Sequence, residues 1–496
     1  MEKNILQYIK KFNGSFCQND TSLSIVLAAG FGKRIKSERS KMLHHIWGKP
    51  SVTRVAEAVK AGLDSQNQII VVGIQAEEII ETIGHHDNTI FAYQENPQGT
   101  GHATKIALEQ MKNADHIDSV YIFPGDMGLI RSSVVKQIKN DFLKSDYDMI
   151  ILTGHYTGIP EDNYYGRVIR VPERDITGNT SSFTGEVIAI MEFKDILNVN
   201  HSTGHTFHHK GHSFNLSRQE LLEIPEFNAG VYAFKKTPLM ENISKINTHN
   251  IQSEMYLTDL VSIFNETGYK VGISPATNNT AIMGFNNKSV LYTMQTIAQQ
   301  QVYDLLKDII TIVDGDDFFI ADDVVQRIIE LDNNGEAKDI VIGRGAYLGQ
   351  DVHIKKGVNI DSNARIEGHV FIDEGTYIGS GCSMNTYPGQ KIIIGKNCNL
   401  LTGTVIRGNM TIGNNVNIES GVRITGSNEF PVTIEDNVLI KGITYIFGSY
   451  IEKDIEIEHS VIKKKRVERI CNKDGSIKPI RYCIPLPEGL DSLVNL

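Results

Sequence analysis

The stretch Leu23-Ser24-Ile25-Val26-Leu27-Ala28-Ala29-Gly30-Phe31-Gly32-Lys33-Arg34, with Lys41 and Gly48-Lys49-Pro50 just beyond it, runs from an apolar segment straight into two glycines and two cations. Leu23 to Leu27 reads as a buried strand. Glycines let the backbone pass close to an anion and aim N–H groups at it. Arg34 can clamp two oxygens at once, and Lys41 supplies a mobile point charge. Together they make a phosphate cradle. The spacing is neither Gly-x-Gly-x-x-Gly nor Gly-x-x-x-x-Gly-Lys-Ser/Thr, which disfavours a dinucleotide fold and a P-loop.

Outward from this point the pattern is regular. Up to about Asn287, apolar runs such as Ile69-Ile70-Val71-Val72, Val120-Tyr121-Ile122-Phe123 and Met149-Ile150-Ile151-Leu152 alternate with helical patterns. That alternation predicts a Rossmann-like α/β domain over residues 23–287, its mostly parallel sheet covered on both faces. Ligands of such sheets bind beyond the strand C-termini, and Arg34 and Asp126 both follow strand ends. Residues 1–22 form an N-terminal arm in which Ile5, Ile9 and Phe12 have helical spacing. Residues 288–309 contain no Gly or Pro and read as one linker helix.

Over residues 310–455 the period changes. Ile342, Leu348, Ile354, Ile360, Ile366, Ile372 and Ile378 recur every six residues. Four places after each stands a small or β-branched residue: Ala346, Val352, Val358, Ala364, Val370, Thr376 or Cys382. A six-residue period suits a parallel β-helix, one hexad to each flat side. The phase continues to Met384, slips by four to Ile394, runs to Ile424, and slips by four again to Ile434. The interval from 394 to 434 is 40 residues, or 36 plus a four-residue insertion. With three hexads to a coil, Tyr387-Pro388-Gly389 and Ser427-Asn428-Glu429-Phe430-Pro431 should leave the same corner two coils apart. Residues 456–496 read as a C-terminal tail.

Composition narrows the class. The chain has 496 residues, 41% of them apolar, and a formal charge of −10, so there is no electrostatic case for a nucleic-acid or membrane partner. Lys463-Lys464-Lys465-Arg466 reads as a solvated edge. Five cysteines without a Cys-x-x-Cys pair fit a reducing cytosol. The N-terminus has no apolar core of signal-peptide length and no segment is long enough to span a bilayer, so a cytoplasmic, soluble protein is expected.

The pattern Leu-Ala-Ala-Gly-x-Gly-x-Arg-(x)6-Lys-x-Leu-His-x-x-x-Gly-Lys-Pro from Leu27 to Pro50 resembles the start of sugar-1-phosphate nucleotidyltransferases. His44 within it is most similar to the N-acetylglucosamine-1-phosphate uridyltransferase branch. Collinear matches follow in Gln94-x4-Gly99-Thr100-Gly101-His102-Ala103, Phe123-Pro124-Gly125-Asp126-Met127 and Tyr165-Gly166-Arg167. Glu192, Phe227-Asn228-Ala229-Gly230, Gln252 to Asp259 and Gly284-Phe285-Asn286-Asn287 complete the set, which spans about residues 23 to 310. The resemblance implies UTP and N-acetylglucosamine 1-phosphate as substrates, and UDP-N-acetylglucosamine and pyrophosphate as products. It assigns Arg34 and Lys41 to catalysis, and Leu27, Ala28, Ala29, Gly30, Gly32, Gln94, Gly99 and Thr100 to the nucleotide. Gly166, Glu192, Asn228 and Tyr256 go to the sugar, and Asp126 and Asn286 to Mg²⁺. The hexads resemble the left-handed β-helix of hexapeptide-repeat transferases, which implies a homotrimer built through that domain.

Several positions depart from the family pattern. Lys33 stands where Thr is usual, Ala229 replaces a Thr, and Ser40 replaces the Pro before Lys41, which predicts a looser loop. The interval from Glu192 to Asn228 is about twenty residues longer and contains His201, His205, His208, His209 and His212. These imidazoles suit Zn²⁺, but with no Cys or acidic ligand at fixed spacing the stretch reads as a solvated loop next to the sugar positions. The family's acetyltransferase segments, Lys-Ala-x-His-Leu-x-Tyr and Asn-Tyr-Asp-Gly, have no match, so acetyl transfer is not expected, and His353 and His369 read as rim residues. A different sugar 1-phosphate is the rival substrate. A non-catalytic scaffold subunit is disfavoured, because Arg34, Lys41, Asp126 and Asn286 are all kept.

Overall fold

The computed structural model describes residues 2–30, 32–111, 114–332 and 336–485. The chain divides into two compact units, Met1–Gln295 and Thr296–Leu496. No described helix is long and apolar enough to cross a membrane.

In the first unit, strand Ser22–Leu27 lies at the centre of the sheet, parallel to Gln68–Val72 on one side and Ser119–Pro124 on the other. From edge to edge the order is Val271–Pro275, Met149–His155, Glu226–Lys235, Ser119–Pro124, Ser22–Leu27, Gln68–Val72 and Thr89–Tyr93. Glu226–Lys235 runs antiparallel to both of its neighbours, and every other pair along this path is parallel. The central strands are largely apolar because both faces are covered. Val26, Ile70, Val72 and Phe123 pack on one face, while Leu23, Ile25, Ile69, Val71 and Ile122 pack on the other. The arm forms helix Glu2–Phe12, whose Ile5 and Ile9 join the first of these cores.

The histidine-rich stretch is an ordered hairpin, not the expected loop. His205–His209 pairs antiparallel with His212–Leu216 around Lys210-Gly211, both at positive φ as a tight two-residue turn requires. Phe207 and Phe214 face each other across the ladder and are buried with Ile169 and Leu221. The alternation of aromatic and polar residues about a Lys-Gly turn was the signal for this.

The second unit contains three parallel sheets, each built from every third strand, which is a β-helix of the left-handed hexapeptide type. Strands pair one coil apart, as in Val352↔Val370 and Ile354↔Ile372, so a full coil takes 18 residues. The hexad residues Ile342 to Ile378 all point inward and are at most 5% exposed. The two insertions fall between Ser383–Asn385 and Ile392–Ile394, and between Arg423–Thr425 and Val432–Ile434. In both cases the chain passes from the same sheet to the same next sheet, so the shared corner is real. Helix Asp322–Asp332 comes where the third side of the first coil would be, and it packs on strand Val352–Ile354.

The coil does not stop at residue 455. Strands Glu456–Glu458, Val461–Lys463, Arg466–Val467 and Ile480–Arg481 continue the three sheets. Inward residues over the last coils are Ile446, Ile451, Ile457, Ile462 and Val467, all buried. Several of these sides are one residue short, and a strict count of six loses them.

Candidate functional site at the sheet's switch point

Leu27 pairs in register with Pro124, and Gly125 N–H donates to Leu27 O at 3.0 Å. The segments that follow, Ala28-Ala29 and Gly125-Asp126, therefore leave the sheet side by side. From Ser22–Leu27 the chain adds Gln68–Val72 and Thr89–Tyr93 on one side and then Ser119–Pro124 on the other, and at such a reversal of strand order an open α/β sheet leaves a crevice. Ala28 and Ala29 are buried, and Ala28 N–H donates to Val71 O at 2.9 Å. A side chain on Gly125 would meet Leu27 O and Met42 Sδ, each at 3.0 Å from its Cβ.

Gly32 has φ 73° and ψ 48°. A Cβ there would lie 2.9 Å from both Cβ and Cδ of Lys41, so the missing side chain is the room in which the Lys41 stem lies. Lys41 Nζ reaches Asp126 Oδ2 at 2.5 Å, and the two side chains are only 14% and 11% exposed. A Cβ on Gly284 would stand 3.3 Å from Asp126 Oδ1, so the Gly284-Phe285-Asn286 loop lies against this carboxylate. Phe285 is fully buried and meets His44 edge-on. Asn287 rather than Asn286 caps helix Lys288–Leu306, accepting from Val290 N–H at 2.8 Å. The half-buried Asn286 side chain has no hydrogen bond among the described residues. Arg34 is exposed, with no partner among them either. Tyr165, quoted in the family match without a role, also reaches this point. Its ring stacks on Phe227, its phenol reaches the Gly284 backbone, and burial followed by the Asp126 charge raises its pKa.

Ser40 does not loosen the loop. It is fully buried, and its N–H donates to Gln75 Oε1 at 2.5 Å, a bond no proline could make.

Gln94 is buried at the end of its strand, where its Nε2 donates to Gly99 O at 3.3 Å and stands 3.0 Å from His102 Nδ1. Its carboxamide oxygen accepts no bond among the described residues. The segment from Gln98 to Gly101 is laced to Met255 and Leu257. Met255 N–H donates to Gln98 O, Gly101 N–H to Met255 O, and Leu257 N–H to Thr100 Oγ1 at 3.0 Å. Gly99 sits at φ 105°, with Met255 O 2.5 Å from where a Cβ would be.

Tyr256 extends from the same lacing, and Gln252 Nε2 donates to its hydroxyl at 2.6 Å. Asn228 N–H donates to Gly166 O, and its Nδ2 donates to Tyr232 Oη at 2.7 Å. A Cβ on Gly166 would come 3.2 Å from Glu192 Oε1. Burial, with the Asp195 and Asp259 charges behind it, pushes the Glu192 carboxyl up to about 7. Burial and Asp195 push Asp259 up to about 6. Glu192, Tyr256, Asp195 and Asp259 line a cavity of about 760 Å³ whose other wall includes Asn200, His205 and Phe207 of the insertion. Asp195 and the hairpin wall escaped the sequence reading, because only the fold sets them opposite Glu192. The remaining histidines disperse: His209 pairs with Glu186, His212 with Asp175, His208 with Ser213, and His201 accepts from Arg218.

A shielded lysine–aspartate pair on a glycine-lined switch-point rim, followed in the chain by a hexapeptide β-helix, defines a nucleotidyltransferase. Residues 24–167 match the MobA-like NTP transferase domain. The bifunctional protein GlmU of Acetivibrio thermocellus is 29% identical over 480 residues, covering 88% of this chain and 95% of its own. Those of Clostridium kluyveri and Clostridium tetani are each 30% identical, covering 85% and 84% of this chain and 79% and 91% of theirs. The chain belongs to the bifunctional GlmU family. Among solved structures, a 4-diphosphocytidyl-2C-methyl-D-erythritol synthase from Anaerococcus prevotii aligns over 58% of this chain and 100% of its own at 15% identity, with a TM-score of 0.35.

Proposed function

We propose that the protein transfers a uridylyl group from UTP to N-acetylglucosamine 1-phosphate, yielding UDP-N-acetylglucosamine and pyrophosphate. The shielded Lys41–Asp126 pair against the Gly284-Phe285-Asn286 loop carries this reading. An oxygen of the sugar phosphate attacks the α-phosphorus of UTP, and the bond to the β-phosphate oxygen breaks as pyrophosphate leaves. Such a reaction asks the protein for alignment and for charge on the phosphates.

The carboxylate of Asp126 and the uncommitted amide of Asn286 are hard oxygen donors of the type Mg²⁺ takes, so these residues fit the ion. Bound there, it would neutralise charge on the transferring phosphates. Lys41, released from Asp126, and the free guanidinium of Arg34 hold phosphate oxygens, supported by the backbone of Leu27, Gly30 and Gly32. Ala28 and Ala29 form the floor for the base. The open Gln94 oxygen accepts from the pyrimidine N–H, and Gly99 and Thr100 hold the neighbouring turn. Gly166, Glu192, Asn228 and Tyr256 hold the sugar, and Glu192 near neutrality can donate as an acid or accept as a carboxylate. The cavity wall built by the insertion favours a second reading on one point only: the sugar accepted can differ from N-acetylglucosamine. The β-helix serves assembly as a homotrimer, in a cytoplasmic setting that suits five free thiols.

The test is pyrophosphate release with UTP and Mg²⁺ over a panel of sugar 1-phosphates. Release with N-acetylglucosamine 1-phosphate is expected. Release only with another sugar transfers the assignment to that sugar, and no release from folded protein rejects the reading.

A further inference from the structure

We propose that the second and third coils of the β-helix carry a transition-metal site of the Zn²⁺ class, formed by Asp351, His353 and His369. Its origin is the 18-residue coil. Val352 stacks on Val370, so the preceding residues, Asp351 and His369, stand at the same corner of successive coils. His353 lies between the inward Val352 and Ile354 and so points outward beside them. One ligand atom from each of the three residues falls within 4.8 Å of the others, the only such group among the described residues. Asp351 Oδ2 is 2.6 Å from His369 Nδ1, and Asp351 Oδ1 is 3.6 Å from His353 Nε2. Tetrahedral Zn²⁺ with bonds near 2.1 Å sets its ligand atoms about 3.4 Å apart, so small side-chain rotations suffice.

The surroundings hold these groups in position. The Phe371 ring stacks on His353 with centroids 4.3 Å apart and meets His369 edge-on at 4.7 Å. Asp351 N–H donates to Asp323 Oδ2 at 2.8 Å, which ties the corner to helix Asp322–Asp332. Arg327 Nη2 lies 3.6 Å from Asp351 Oδ1 and would oppose a cation. Its Nη1, however, is committed to Asp323 Oδ2 at 2.9 Å and Val352 O at 3.0 Å, so Asp351 can leave it without stranding it. The buried Asp323 Oδ1 has no hydrogen-bond partner among the described residues. Two imidazoles and a carboxylate select Zn²⁺ over the all-oxygen preference of Mg²⁺ and Ca²⁺. Three protein ligands leave a fourth position to water. None of this depends on the uridylyl-transfer reading.

The test uses the full chain, stripped with EDTA and desalted, then titrated with Co²⁺ as a spectroscopic probe and with Zn²⁺ by calorimetry. One equivalent per chain is expected, with the intense visible bands of tetrahedral Co²⁺ bleached on adding Zn²⁺. His353→Gln and His369→Gln should each weaken binding by at least ~10-fold, while His208→Gln in the hairpin leaves it unchanged. Melting of the metal-free variants checks the fold. His353→Gln breaks the 3.6 Å contact, the stack on Phe371 and an edge-on contact with the His369 ring, all on the half-buried outer face, so it reports even if His369→Gln unfolds. No stoichiometric uptake, or uptake that survives His353→Gln undiminished, overturns the site.

Discussion

Replacing Gly32 with alanine separates the conformational role of the cradle loop from its chemical one. At φ 73° and ψ 48° an added Cβ costs about 1–2 kcal/mol. That Cβ would also lie 2.9 Å from Lys41 Cβ and Cδ, closer than real side chains come. The lysine stem is flexible and gives way, which draws Nζ off Asp126 Oδ2, now 2.5 Å away. Displacing one charge aimed at the reacting phosphates costs about 2.7–4 kcal/mol of barrier, a factor of about 10²–10³ in kcat. Gly32→Ala is therefore expected to melt at a slightly lower temperature but to turn over about 10²–10³ times more slowly. Gly30→Ala is the folding control, since a Cβ there meets nothing within 4 Å. Thermal melting and pyrophosphate release at saturating substrates, on the same preparations, give both quantities. Wild-type turnover by a folded Gly32→Ala protein would refute the role given to Lys41.

Asp126→Asn keeps the shape of the side chain and removes its charge, and should cut turnover by on the order of 10²–10³ with little loss of stability; unchanged pyrophosphate release would remove Asp126 from the site. Glu192 has a folded pKa of about 7 against 4.5 unfolded, so folding favours its protonated form. That contribution is complete below about pH 4.5 and is lost as pH rises through about 7, by no more than about 3 kcal/mol at a side chain lining an open cavity. Glu192→Gln should flatten this part of the stability–pH curve in urea melts, and an unchanged slope would assign the dependence elsewhere. Ser40→Pro removes the N–H that donates to Gln75 and should destabilise by about 1 kcal/mol, whereas a gain in stability would mean that serine does loosen the loop.

Features that depend on a fixed local spacing are legible in the chain. An apolar strand running into Gly30, Gly32 and Arg34 specifies a cradle at a strand end, because strand geometry and glycine freedom act over a few residues. Hexads specify a three-sided coil, and two slips of four residues set their insertions at one corner, because the coil length is constant. Shortened sides hid the last coils, since Ile446 to Ile451 and Ile457 to Ile462 span five residues and not six. The hairpin His205–Leu216 is short, and its only strand signal is the alternation of Phe207 and Phe214 about a Lys-Gly turn within a run of polar residues. Which distant groups meet is set by the folded arrangement. It set Lys41 on Asp126, Gly284 beside that carboxylate, Asp195 and Asp259 near Glu192, and Asp351 on His369. Each pairing depends on how strands are ordered across a sheet or stacked in a coil, and ionisation depends on the water each pairing excludes. Glu192 reads as an ordinary carboxylate in the chain and titrates near neutrality only once the fold buries it among like charges.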